Sequence, residues 1–407
     1  MAHYVIVGGG LAAGTAVETL RDEGFDGDVT VVAAEQHPPY QRPPLSKGYL
    51  QGEEGTDAVI LHPADWYRDG RAELRTGVAA IALDPAAHRL ELEDGSSLTY
   101  DALLLATGSS PRRLPLEGAD LAGVRMLRTI DDSDALAAEL RGGGKRLVLI
   151  GSGWIGMEVA ATARSLGNEV TVLERDPIPL AAAVGDEMGA VFRDLHLEKG
   201  VDLRPSVQVE RITGSDRAEA VVVGGEEVPA DLVVIGVGAV PNVSLAEDAG
   251  ITVDNGIRTG SALRTSASDV YAAGDVANAY HPVIQRHLRS EHWDNALKAG
   301  AVVARSMLGM PASHDSIPYF YTDQFDLGME LSGYPPLMKD AQLVTRGDVA
   351  GREFIAFWHD GKRVVGAMNV NVWDVQDDLQ KLIRDAKPVS PDELRDESVD
   401  LERLAAS

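Results

Sequence analysis

The residues best placed to do chemistry in this chain are glycines. Gly8, Gly10 and Ala13 fit the spacing G-x-G-x-x-A, and Gly151, Gly153 and Gly156 fit G-x-G-x-x-G. In such a turn the first glycine allows a tight bend and the second lets the backbone approach a pyrophosphate. The third small residue lets the following helix pack closely on the strand. The first N–H groups of that helix have no partners within it, so they suit phosphate oxygens. Each turn is followed by an acid, Glu35 for the first and Glu174 for the second, placed to accept hydrogen bonds from a ribose. A lone glycine turn is a weak signal. Strand, turn, helix, strand and acid in that order, twice, read as two dinucleotide sites.

The elements that must position these turns follow from the hydrophobic pattern. Tyr4–Val7 predicts a strand, with a helix after the turn to about Glu23 and a second strand at Val29–Val32. The same order recurs with a strand at Arg146–Ile150, a helix to about Leu166 and a strand at Glu169–Leu173. Val221–Val223 and Leu232–Ile235 read as further strands of that second unit. Between the units, "QHPPYQRPPLSKGYL" has prolines that forbid an ordinary helix or central strand, so an ordered loop is expected. From about Tyr319 the runs "YFYTDQF", "REFIAFWHDG" and "RVVGAMNVNVW" indicate a separate α+β domain.

The chain has 407 residues and a formal charge of −26. That charge argues against nucleic acid and against an anionic membrane surface, both of which call for Lys and Arg. There is no cysteine, which excludes disulfides, thiolate metal sites and cysteine nucleophiles. His281, His287 and His292 lack a tight ligand pattern, so no metal is expected. A strand beginning at Tyr4 leaves no room for a targeting peptide, and no apolar run reaches the roughly 18 residues of a membrane span. A cytoplasmic enzyme, a monomer or weak dimer, is the expectation.

The series "VIVGGGLAA", "PPYQRPPLSKGYL", "LLLATGSSPR", "IGSGWIGMEVAA", "VVIGVGAVPN" and "DVYAAGDVA" resembles the FAD-dependent, NADH-using ferredoxin reductases of bacterial oxygenase and cytochrome P450 systems. The resemblance spans nearly the whole chain. It implies an α/β fold of two Rossmann-like, glutathione-reductase-like dinucleotide-binding domains plus the α+β C-terminal domain. The implied boundaries are 1–112 for the first part of the FAD domain, 113–240 for the NADH domain, 241–318 for the second FAD part and 319–407 for the C-terminal domain. FAD would occupy the first turn and NADH the second. By position, Arg42 and Lys47 would offset the FAD pyrophosphate or electron density on the reduced flavin. Asp275 would bond the ribityl chain, and Trp293 would lie close to the flavin ring. Glu158 would face the nicotinamide, with a surface helix glutamate as the plainer alternative. Arg128, Gly238 and the backbone near Val78 are weaker cofactor contacts.

Without a thiol, relatives that depend on a redox cysteine are excluded. The expected activity is electron transfer from NADH through FAD to a [2Fe–2S] ferredoxin, with Lys47, Glu158 and Trp293 nearest the chemistry. Rubredoxin reductase or NADH oxidase activity on the same fold is the alternative, and a redox-sensing interaction flavoprotein is the reading from another class. Arg286, Arg289, Lys298 and Arg305 flank Trp293 in sequence and would form a basic docking patch, failing which the surface around Trp358 and Trp373 would serve.

Overall fold

The computed structural model describes residues 1–406. The chain forms two compact units. One comprises Met1–Arg42, Thr56–Ser110 and Ala239–Pro318, and the other Pro43–Gly55, Pro111–Gly238 and the chain from Tyr319 onward.

The first unit is built on a five-stranded parallel sheet in the order Val270–Ala272, Ala102–Leu105, His3–Val7, Asp28–Ala33, Ala72–Thr76. Its central strands are apolar runs because both faces are covered, which is the condition for a parallel sheet. Register pairs Val7 with Val32, so the Gly8 turn and the chain leading to Glu35 leave the same end of the sheet. The helix Leu11–Asp22 packs on the helix Trp293–Met307. Their approach is close enough that a Cβ at Gly300 would lie 2.8 Å from the Ala12 carbonyl oxygen.

The second unit repeats the plan with strands Asp202–Arg204, Glu169–Leu173, Arg146–Ile150, Leu232–Ile235 and Val124–Arg125, again parallel. Only part of the expected strand set joins this sheet. Ala220–Val223 pairs instead with Val209–Thr213 and Glu226–Pro229 in a separate antiparallel sheet. Short turns connect these three strands, and a short turn favours antiparallel pairing over a crossover. From Tyr319 the chain forms a five-stranded antiparallel sheet followed by helices. Met329, Leu331, Phe354 and Met368 from that sheet share one core with Met157 and Phe192.

The proline-rich segment is ordered but not strictly a loop. It contains a 3-10 turn, Pro43–Ser46, and a single α-turn, Gly48–Gln51. Within the second unit it is fixed by side chains from two helices. Ser133 donates to the Leu45 carbonyl at 2.8 Å and Thr162 to that of Ser46 at 2.8 Å. Arg141 donates to the carbonyls of Tyr49 and Leu50 at 2.7 and 3.1 Å. Lys47 therefore belongs to the second unit, although the chain up to Arg42 and from Thr56 belongs to the first.

Candidate functional site

At the first turn, Gly8 has φ +129°, and a Cβ there would lie 2.1 Å from the Ala106 carbonyl oxygen. No side chain fits. Gly10 caps the helix Leu11–Asp22 with no side-chain hydrogen bond and no acid in the first turn. A Cβ at Gly10 would meet nothing within 4 Å. Open space over uncapped N–H groups fits a pyrophosphate. Ala13 is fully buried against the sheet. Glu35 accepts from the Tyr40 hydroxyl at 2.6 Å and from Arg42 at 2.8 Å. Arg42 therefore meets its first anion in Glu35, a pairing the sequence did not signal.

The second turn repeats this geometry. Gly151 has φ +101°, and its Cβ would lie 2.5 Å from the Gly236 carbonyl oxygen. Gly153 caps the helix Trp154–Ser165 without a side-chain bond, facing open space. A Cβ at Gly156 would meet the Gly151 carbonyl oxygen at 2.4 Å, so the third position takes only glycine here. Glu174 accepts from the Ser152 N–H at 2.7 Å, the Ser152 hydroxyl at 2.6 Å and the Asp176 N–H at 2.8 Å. Burial pushes its carboxyl up, but these hydrogen bonds outweigh it and hold it below the usual range. The Arg175 side chain is 83% exposed and lies 3.5 Å from Asp176, while its backbone N–H also donates to Glu174.

Glu158 is not a surface residue of its helix. Its side chain is 4% exposed and pairs with Lys47 at 2.9 Å. Ser46 donates to its Oε2 at 2.5 Å and Thr322 to its Oε1 at 2.7 Å. Lys47 also lies 5.4 Å from the Tyr321 ring centroid. Next to this cluster, Asp323 sits above the usual carboxylate range. Partial desolvation raises it against the pull of Lys47, and the Glu158 and Glu330 carboxylates add to the rise. The spacing of Lys47 and Glu158 in sequence gave no sign that they meet. Ser46 and Thr322 belong to no motif and were missed, and only the neighbouring Lys47 could have drawn attention to Ser46.

The remaining candidates have partners of their own. Asp275 lies inside the 3-10 turn Gly274–Val276 and accepts from the Ser109 hydroxyl at 3.1 Å. Trp293 opens its helix and donates Nε1–H to Gln41 at 3.0 Å. The Val78 N–H is already used by the Ala33 carbonyl at 3.1 Å. The Arg128 N–H donates to Asp132 at 3.0 Å, just ahead of the helix Ile130–Leu140. Gly238 has φ +95° with open space at its Cβ position. In the expected basic patch, Arg289 pairs with Glu291, Lys298 with Asp294 at 2.8 Å and Arg305 with Glu23 at 2.7 Å. Only Arg286 pairs with no acid among the described residues. Trp358 is buried in the C-terminal core, whereas Trp373 is 54% exposed.

Residues 2–300 match the family described as pyridine nucleotide-disulphide oxidoreductase. The chain belongs to that family. Residues 319–405, which include the antiparallel sheet, match a second family, described as reductase C-terminal. The chain is 37% identical to rhodocoxin reductase of Rhodococcus erythropolis, over 99% of this chain and 94% of that protein. It is 36% identical to the ferredoxin–NAD(+) reductase component of the anthranilate 1,2-dioxygenase system of Burkholderia cepacia, over 98% of each. Its fold matches the crystal structure of the covalent putidaredoxin reductase–putidaredoxin complex with a TM-score of 0.95 and 34% identity, covering 100% of this chain and 98% of that one. The chain is thus an oxidoreductase with the fold of these reductases, and its family name implies a pyridine nucleotide and a flavin. Members of this family that act on disulphides need a thiol, which this chain cannot supply. No helix among the described residues is long and apolar enough to cross a membrane.

Proposed function

We propose that this protein is an NADH-dependent ferredoxin reductase with FAD as its flavin, feeding a [2Fe–2S] ferredoxin that serves an oxygenase or cytochrome P450. The balance is NADH plus two oxidised ferredoxins giving NAD+, two reduced ferredoxins and one proton. Bound FAD supplies the conversion between two-electron and one-electron chemistry. The protein supplies seats, charge and orientation. Gly8, Gly10, Ala13, Glu35 and Arg42 would hold the ADP half of FAD, with Asp275 on the ribityl chain and Val78, Arg128 and Gly238 as outer contacts. Gly151, Gly153, Gly156 and Glu174 would hold NADH. Lys47, steadied by Glu158, would bring positive charge to the flavin, and Trp293 would cover the ring. We assign the FAD module to residues 1–112 and 241–318, with the NADH module 113–240 inserted and the C-terminal domain from 319. Two stretches depart from this division, because Pro43–Gly55 and the chain from Tyr319 both group with the NADH module in the second unit. We place the protein in the cytoplasm, where NADH is produced.

What carries this reading is the pair of uncapped helix N-termini at Gly10 and Gly153, each facing open space and each followed by an acid. Both glycines have extended backbone that any residue adopts, so a side chain there should fill the seat without unfolding the protein. Gly10→Val should purify folded and colourless. Gly153→Val should purify yellow, with its KM for NADH raised roughly tenfold or more, the equivalent of about 1.4 kcal/mol of lost binding. A yellow Gly10→Val protein would reverse the assignment of the two seats. Turnover with a ferredoxin compared with oxygen alone separates this reading from an NADH oxidase.

A further inference from the structure

Glu158 is the end of a chain of hydrogen bonds that runs through the C-terminal sheet to a buried histidine. Thr322 Oγ1 lies 2.7 Å from Glu158 Oε1, Gln324 Nε2 lies 3.1 Å from Thr322 Oγ1, and His196 Nε2 lies 2.9 Å from Gln324 Oε1. His196 and Gln324 are fully buried, as is Thr322. The histidine lies on the helix Ala181–Glu198, and the other two residues lie on the strand Tyr319–Gln324. Successive residues of a strand face opposite ways, so positions 322 and 324 share a face and can form a line of contacts.

The direction of these bonds is not free. A carboxylate only accepts, and a hydroxyl donates once. While Glu158 is a carboxylate, Thr322 must give it its proton. The Thr322 oxygen must then accept from the Gln324 amide. That turns the Gln324 carbonyl oxygen toward His196, whose ring must carry its proton on Nε2. The opposite direction would begin with a proton on Glu158, require the Gln324 amide to flip, and end with the histidine proton on Nδ1. Among the described residues, His196 Nδ1 has no hydrogen-bond partner. The reversed chain would therefore bury an unpaired N–H donor. Both ends of the chain favour the same direction.

We propose that His196, Gln324 and Thr322 are positioning residues that lock Glu158 as a fixed acceptor against Lys47. The lock stands on its own geometry, and its kinetic consequence rests on reading Lys47 and Glu158 as groups that act beside the flavin. Burial supports it by holding His196 down at about 4, so the ring stays neutral at working pH. Lys47, Asp323 and Tyr321 interact with Glu158, while Glu54 acts on Tyr321 and Glu330 on Asp323.

The direct test is 15N NMR of the flavin-loaded protein labelled at histidine, with His196 assigned by its loss in His196→Gln. The expected result at pH 7 is a neutral ring protonated on Nε2. A proton on Nδ1, or a cationic ring, overturns the lock. Stopped-flow reduction of the flavin by NADH then tests the consequence. Thr322→Val should slow it about tenfold at saturating NADH, which is the order expected for losing a hydrogen bond to a charged group, with the NADH KM within twofold. Thr322→Ser, which keeps the hydroxyl, should restore it. If Thr322→Val reacts like the parent while Glu158→Gln is slow, the positioning role is overturned. If Glu158→Gln is also unchanged, it is the reading of Glu158 that fails.

Discussion

At the residue scale, the two kinds of glycine in each turn should fail differently. Gly8 is confined by its φ of +129° and by the Ala106 carbonyl 2.1 Å from its Cβ position. Gly8→Ala should therefore lose folded protein, seen as a low yield and a lower melting temperature. Gly10→Val should keep the fold and lose only the colour. Glu174 gives a further residue-scale test. Its carboxylate is fixed by Ser152 and Asp176. Removing it in Glu174→Ala should lower kcat/KM for NADH roughly tenfold, a loss of about 1.4 kcal/mol. The relative rate with NADPH should rise, because the exposed Arg175 is free to turn toward a 2′-phosphate. Steady-state kinetics with both cofactors measures this, and an unchanged preference would remove Glu174 from ribose recognition.

At the scale of elements, what matters is how a one-turn segment is held. Pro43–Gly55 depends on donors from the helices Ile130–Leu140 and Trp154–Ser165 and from Arg141. Arg141→Ala removes two hydrogen bonds to backbone carbonyls and should cost about 1–3 kcal/mol locally. The expected outcome is faster amide exchange across residues 45–52 and slower flavin reduction, with the rest of the second unit unchanged. The close contact of Gly156 with the Gly151 carbonyl makes the turn and its helix a single rigid piece. Gly156→Ala should push the helix from the strand and raise the NADH KM without bleaching the protein.

For the whole molecule, pH and charge decide. Burial holds His196 at about 4, below its ordinary 6.5. Between these values the unfolded chain takes up a proton that the folded chain refuses, so stability falls as pH drops from 6.5 toward 4. From pH 7 to pH 5 this one ring should remove about 2 kcal/mol. His314, also pushed down to about 4 by burial and then by His281, adds to the same trend. Urea midpoints at pH 7 and 5 measure it, and His196→Gln should flatten the slope. A net charge of −26 leaves few sites for an acidic partner. With Arg289, Lys298 and Arg305 already paired, the remaining docking cation in that patch is Arg286. Arg286→Glu should raise the ferredoxin KM several-fold at low salt and leave flavin reduction by NADH unchanged. An unchanged KM would turn attention to Trp373.

The sequence by itself determined what short-range sterics enforce. Two positive-φ glycines must end strands and two apolar runs must be covered on both faces, while the acid after each second strand reads as a ribose acceptor. These constraints act within some thirty residues, so Gly8, Gly10, Gly151, Gly153, Gly156 and Glu174 were legible directly. Lys47 and Glu158 were legible only as members of a resemblance. Glu158 is buried and pairs with Lys47, which is distant in sequence, and it also accepts from Thr322, which lies 164 residues from it along the chain. Nothing in local propensity records such a contact, because a hydroxyl on a strand reads the same whether it faces water or a carboxylate. The strand Ala220–Val223 likewise has the composition of a parallel-sheet strand, yet its short connections place it in an antiparallel one. Only the tertiary structure could bring His196, Gln324, Thr322 and Glu158 into line, since the cost of burying polar groups is offset by partners that chain topology supplies from far away.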